Sequence, residues 1–174
     1  KNAKIIHTGN PLRKEIVALS AQSRNIRNSS QRLRILVLGG SQGALAINEV
    51  VPDVLADFPK EIRPSVWHQT GERTLERTQA AYADKGLDSE DDITIAAFIS
   101  DMVEAYSWAD LVICRSGAST VSEIAAVGLP SILIPYPHHS DQQQTQNANW
   151  LIQAGAAFLL EQKDLTAAAL KTLV

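Results

Sequence analysis

Short apolar runs alternate with stretches of helical spacing along most of this chain, and that alternation leaves few folds open. The runs are Arg34–Leu38, Ser65–Gln69, Ile93–Phe98, Leu111–Cys114, Ser131–Ile134 and Ala157–Leu160. They are continuously apolar rather than alternating with polar residues, the pattern of strands covered on both faces. Helical spacing fills Ala44–Ala56, Thr74–Lys85, Asp101–Ala109, Val121–Val127 and Gln142–Gln153, and a last helix begins at Leu165. Asp101 is placed as an N-cap, while Gly128-Leu129-Pro130 and Gly155 supply helix stops. Pro52 is an irregularity inside its helix. The expected class is α/β, a doubly wound parallel sheet. Before Leu33 the pattern weakens. Lys4–Thr8 reads as a short extended segment, Gly9-Asn10-Pro11 as a turn, Arg13–Leu19 as a turn or two of helix, and Ser20–Gln31 as a polar connection. The expected organisation is a lead-in over residues 1–32 and one domain over 33–174, cut at both ends from a larger protein.

Ligands of such sheets bind outside the carboxyl ends of the strands, so the polar residues after each run carry the functional argument. The stretch Cys114–Glu123 reads as strand, tight loop and helix start. Such a corner gathers unpaired backbone N–H groups and the positive end of a helix dipole, which suits an anion. Arg115 adds a charged fork beside it. Thr120-x-x-Glu123 has two readings here: a capping box closing the helix start, or a carboxylate offered to a sugar diol. Gly39-Gly40-Ser41-Gln42-Gly43 fails the pattern G-x-G-x-x-G, because Leu38 holds the first glycine position, and it lacks Gly-Lys-Ser/Thr. It is either a tight turn or a cradle for a phosphate. Backbone at Ile99, after the third run, can read a flat base edge or simply pack. Gln143, Gln144 and Asn147 share one helix face. Their amides donate and accept together, which suits sugar hydroxyls, and a merely solvated helix start is the other reading.

Several classes are disfavoured. A net charge of −3 without a basic stripe argues against nucleic acid. The single cysteine, Cys114, cannot form an intrachain disulfide, fits a reducing cytoplasm, and ends a buried-looking run, which favours a core role over a catalytic thiol. No apolar run approaches the roughly 20 residues that span a bilayer. The acidic stretch Asp88–Asp92 reads as a solvated loop, and no Cys/His cluster has zinc-ligand spacing, so neither metal nor cofactor is expected. His68 reads as a satisfied structural residue, while binding roles for His138 and His139 stay open. No spacing offers a complete catalytic set.

Taken together, Gly9-Asn10-Pro11-Leu12-Arg13, Gly39–Ala44, Trp67-His68-Gln69-Thr70-Gly71, Cys114–Glu123 and Gln143-Gln144-x-x-Asn147-Ala148 occur in the order found in the MurG family. These are bacterial transferases that pass N-acetylglucosamine from its UDP derivative to lipid I, giving lipid II of peptidoglycan. The resemblance covers nearly the whole chain. It implies a Rossmann-like domain, the C-terminal half of a GT-B glycosyltransferase, that binds UDP-N-acetylglucosamine. By that resemblance Glu123 would accept from both ribose hydroxyls and Ile99 would meet the uracil through its backbone. Ser41 with Gly39, Gly40, Gln42 and Gly43 would hold the diphosphate, together with Arg13 and Arg115. Gln143, Gln144 and Asn147 would address the sugar or its phosphate edge, over a floor of Ala118, Ser119 and Thr120. Ser119 departs from the bulkier apolar residue frequent at that position. The resemblance also implies metal-independent inversion, with no catalytic residue in this half and no turnover by the half alone. The acceptor groove and membrane contact would lie in the N-terminal half, at the cytoplasmic face of the membrane. Other readings are a nucleotide-sugar-binding subunit completed by a partner chain, a UDP-sugar epimerase, or a related transferase with another substrate. The acidic residues that mark epimerases around the glycine loops are not apparent.

Overall fold

A computed structural model describes residues 9–20, 31–40, 44–88, 90–138 and 142–174. The early segment Lys4–Thr8, most of the connection Ser20–Gln31, and Ser41, Gln42, Gly43 and His139 lie outside the described residues. The chain runs α1 (Lys14–Leu19), β1 (Arg34–Leu38), α2 (Leu45–Ala56), β2 (Ser65–Gln69), α3 (Leu75–Asp84) and β3 (Ile93–Ala96). It continues with α4 (Met102–Trp108), β4 (Leu111–Cys114), α5 (Ala118–Val127), β5 (Ser131–Leu133), α6 (Gln143–Gln153), β6 (Ala157–Leu159) and α7 (Ala167–Leu173). Single 3-10 turns precede α3 and α7. The strands form one sheet in the order β3-β2-β1-β4-β5-β6, with every pairing parallel. The expected doubly wound α/β class is the observed one.

Successive side chains of a strand point to opposite faces, and the core divides accordingly. Leu36, Leu38, Val112, Cys114 and Leu133 pack on one face with α1, α4, α5 and α6. Ile35, Val37, Ile113 and Ile132 pack on the other with α2, α3 and α7. Coverage on both faces is why the central runs are apolar throughout, and it lapses at the edges, where Thr94 and Phe158 are exposed. Burial raises the Cys114 thiol to about 12, as befits a core residue. The lead-in helix α1 belongs to the first layer: Ile16 and Leu19 are buried in it. Each such side chain withdrawn from water contributes about 1.5–3 kcal/mol.

Some helix ends follow local chemistry closely. Asp101 caps α4 by accepting from the Glu104 N–H at 2.9 Å, as its position suggests. Gly128 ends α5 with φ +72, a left-handed conformation that glycine adopts without a Cβ penalty. Among the described residues, no helix is long and apolar enough to cross a membrane.

The pairings align Ala96, Gln69, Leu38, Cys114, Leu133 and Leu159 in one row. That row is the carboxyl rim of the sheet. Strand order reverses between β1 and β4, so the helices that follow these two strands leave to opposite faces and open a crevice between them.

Candidate functional site

The crevice is a cavity of about 200 Å³ lined by Leu38, Gly40, Gln69, Met102, Tyr106, Arg115, Gly117, Thr120 and Glu123. One wall is the glycine turn after β1. The Gly39 N–H donates to the Gln69 carbonyl at 2.8 Å. A Cβ on Gly39 would sit 2.8 Å from Gln69 O, 3.1 Å from Thr70 O and 3.2 Å from Ala44 N, so only glycine fits. Gly40 follows with φ +70.

A buried polar chain backs this turn. The Asn48 amide donates to Thr70 O at 2.9 Å and to Thr74 Oγ1 at 3.0 Å. That leaves Asn48 Oδ1 as acceptor for His68 Nε2 at 3.0 Å, and His68 Nδ1 accepts from the Tyr82 hydroxyl at 2.9 Å. The partners therefore select the neutral Nε2–H tautomer. Burial lowers the His68 pKa to about 3. His68 is thus the satisfied structural residue expected from the sequence.

The opposite wall is the start of α5. The helix begins at Ala118, three residues before the expected Val121, with Gly117 as N-cap and no side-chain cap. The N–H groups of Ala118, Ser119 and Thr120 lack intrahelical acceptors, as in any first turn, and the helix dipole adds positive potential there. The capping-box reading of Thr120 and Glu123 is corrected. Thr120 lies inside the first turn and Glu123 in the second, too far along to reach the N-cap N–H. The Glu123 carboxylate has other partners. Oε1 accepts from Arg13 Nη2 at 3.0 Å, and Oε2 accepts from the Tyr106 hydroxyl at 2.9 Å. Arg13 is delivered by the lead-in segment, which Asn10 staples to α5 through Ser122 Oγ at 2.8 Å.

Other residues singled out from the sequence sit around this centre. Ile99 is buried, and its N–H donates to Gln69 Oε1 at 3.2 Å, while the neighbouring Phe98 is 67% exposed. Arg115 lines the cavity but directs Nη1 to the carbonyls of Ile134 and Pro135, at 3.1 and 3.0 Å, and Nη2 to Gln162. It also packs over the Tyr136 ring. Burial lowers its pKa, and in this arrangement it braces the loop after β5. Gln144 Oε1 accepts from the Tyr136 N–H at 2.9 Å, and Asn147 Nδ2 donates to Ser116 O at 3.1 Å. Both amides tie the start of α6 to the rim, while Gln143 is exposed at the first position of that helix. His138 is exposed and stacks edge-on against Tyr136. Among the described residues, no group of three or more His, Cys, Asp or Glu side chains is placed to hold a metal.

Gln69, Met102 and Tyr106 line the cavity without having been singled out as site residues. Gln69 lies inside the Trp67–Gly71 motif, a signal that was present. Met102 and Tyr106 look like ordinary apolar helix positions, and only packing brings them here.

Comparison with known proteins adds a second line. The model of the glycosyltransferase family 28 C-terminal domain matches residues 34–174. A Shewanella sp. (strain MR-4) protein named UDP-N-acetylglucosamine--N-acetylmuramyl-(pentapeptide) pyrophosphoryl-undecaprenol N-acetylglucosamine transferase is 49% identical over 160 residues, 92% of this chain and 42% of the relative. A Shewanella amazonensis protein of the same name is 53% identical over 154 residues, 88% of this chain and 42% of the relative. The crystal structure of MurG from Acinetobacter baumannii superposes with a TM-score of 0.72 at 39% identity, over 91% of this chain and 43% of that one. The glycosyltransferase VinC, solved with dTDP, shares the fold with a TM-score of 0.57 at 18% identity, over 84% of this chain and 33% of that one. The chain spans less than half the length of the curated relatives it matches.

Proposed function

The chain belongs to glycosyltransferase family 28, as its C-terminal domain, and on that premise we propose that it is the donor-binding half of an N-acetylglucosamine transferase. The donor is UDP-N-acetylglucosamine, and the acceptor is the undecaprenyl-linked N-acetylmuramyl-pentapeptide of lipid I. The whole enzyme would act at the cytoplasmic face of the membrane and produce lipid II. Residues 1–32 would lead in from the acceptor-binding half, and residues 33–174 would form the donor domain.

The observation that carries this reading is the Glu123 carboxylate on the wall of a crevice at the strand-order reversal, facing a glycine turn across the rim. A nucleotide diphosphate sugar matches that layout. The vicinal ribose hydroxyls are donors for Glu123. The diphosphate suits the first-turn N–H groups of α5, the backbone at Gly39 and Gly40, and Arg13, which is half-exposed and able to exchange a carboxylate for a phosphate; by family resemblance Ser41, Gln42 and Gly43 would join them. The uracil reaches the Ile99 backbone. Gln143, Gln144 and Asn147 stand at the sugar end, where Arg115 orders the loop that precedes α6. During transfer the bond from the anomeric carbon to the diphosphate breaks as the acceptor hydroxyl attacks. Fixed N–H dipoles then meet the charge that develops on UDP without reorganising, and the Arg13 guanidinium adds to them once it has exchanged its partner.

Calorimetric titration of the chain with UDP, UDP-N-acetylglucosamine and ADP tests the reading. Uridine-selective binding is expected. Glu123→Gln keeps the shape but removes a charge-assisted hydrogen bond of about 1.5–3 kcal/mol, so affinity for UDP should fall at least ~10-fold. Equal affinity for ADP and UDP, or binding indifferent to Glu123→Gln, would overturn it. Absence of binding by the chain alone would move the same titration to the full-length protein.

A further inference from the structure

The inference here rests on the donor-site reading and concerns a residue outside the expected ligand set. Tyr106 lies in α4, whose start is held by the Asp101 cap, and its side chain is 0% exposed. Its hydroxyl meets Glu123 Oε2 at 2.9 Å. The other carboxylate oxygen, Oε1, meets Arg13, whose side chain is 51% exposed. The two oxygens of Glu123 are therefore not equivalent. Oε2 is paired with a buried hydroxyl and Oε1 with a half-exposed side chain. Burial, with the neighbouring Glu123 charge, pushes the Tyr106 phenol well above its ordinary range, so it remains a donor at any working pH.

We propose that Tyr106 is a positioning residue for ribose recognition: its hydroxyl locks the Glu123 carboxylate with Oε1 presented to the vicinal diol of the nucleotide. The terminal torsion of a glutamate is broad and nearly two-fold. An unanchored Glu123 would be spread over orientations, most of them unsuited to two hydroxyls at once. A donor fixed to Oε2 removes that spread before the ligand arrives. It also leaves Oε1 with a partner, Arg13, on a half-exposed arm that a ligand can displace. Arg13 and Tyr106 thus differ in kind: one contact is exchangeable, the other is part of the core.

The test is a cycle of two ligands and two side chains, titrated into the full-length protein that carries this domain. UDP and 2′,3′-dideoxy-UDP differ only in the diol, and Tyr106→Phe removes only the hydroxyl. Wild type should favour UDP over the dideoxy analogue by ~10-fold or more, the value of hydrogen bonds to a charged acceptor. In Tyr106→Phe that preference should shrink to about 2-fold while affinity for the dideoxy analogue stays within about 2-fold of wild type. Tyr82→Phe, which removes a buried phenol hydroxyl on the other face of the sheet, should leave the preference intact. Partial unfolding of a variant lowers both affinities by the same factor and cancels in the ratio. An undiminished preference in Tyr106→Phe, an equal loss for both ligands, or an equal effect of Tyr82→Phe would overturn the role of Tyr106 alone. A wild type indifferent to the diol would overturn the donor-site reading and this inference with it.

Discussion

Alanine at position 39 tests the architecture of the rim most directly. The added methyl would lie 2.8 Å from Gln69 O, 3.1 Å from Thr70 O and 3.2 Å from Ala44 N. All three atoms are backbone, so no rotamer change can make room. The turn would have to lift away from β2, stretching the 2.8 Å hydrogen bond from the Gly39 N–H to Gln69 O. Overpacking of this kind costs about 1–3 kcal/mol and a compromised hydrogen bond about 0.5–1.5, so a total near 2–4 kcal/mol is expected. At roughly 2–4 °C per kcal/mol for a chain of this size, the melting temperature should fall by about 5–15 °C. Gly40→Ala is the control. Among the described residues, no atom beyond its chain neighbours lies within 4 Å of its added Cβ, and the φ of +70 opposes the substitution. A left-handed alanine costs about 1–2 kcal/mol, and Gly40→Asn should recover part of that. Calorimetric melting of the three variants decides the matter. A Gly39→Ala protein that melts with wild type, or no lower than Gly40→Ala, would refute the close approach of the turn to β2.

Two further tests concern stability away from the ligand. His68 titrates near 3 in the fold against 6.5 when unperturbed, so the unfolded chain takes up its proton first as pH falls. The stabilising contribution of the neutral ring is complete above pH 6.5 and is lost progressively toward pH 3, by roughly 4–5 kcal/mol over the whole window. Urea unfolding between pH 7.5 and 4.5 should show that slope in wild type, with His68→Gln less stable at pH 7.5 but flatter below 6.5. A slope unchanged in the variant would count against the buried neutral histidine. At helix starts, Asp101→Ala should cost about 1 kcal/mol through loss of its cap bond, whereas Thr120→Ala, with no cap bond to lose, should stay within about 0.5. Equal costs in chemical denaturation would restore Thr120 as a cap.

Much of the fold was legible because burial on two faces writes itself into composition. β1, β2 and β4 have the bounds their apolar runs suggest, and Asp101 and Gly128 act where their chemistry places them. β3 stops at Ala96, short of the expected Phe98, although the Gly71 N–H still donates to the Ala97 carbonyl at 3.0 Å. The start of α5 was misread because Ser116–Thr120 are small or cap-forming residues, and Thr120-x-x-Glu123 has the spacing of a capping box. What decides against that box is distant: Arg13 lies 110 positions from Glu123 and Tyr106 lies 17. The amides of Gln144 and Asn147 were likewise legible as a polar cluster, but not as ties to the Tyr136 N–H and Ser116 carbonyl.

The sequence by itself determined the class of fold, the polar rim at the carboxyl ends of the strands, and the chemical types offered there, since hydrophobic period, glycine, caps and charge act over a few residues. Tertiary structure alone decided partners. Which oxygen of Glu123 meets the Tyr106 hydroxyl, which carbonyls engage Arg115, and why position 39 admits no Cβ all depend on strand order and register. Those bring together groups that no local pattern relates, and a hydrogen bond of 2.9 Å or a clash at 2.8 Å exists only once they have met.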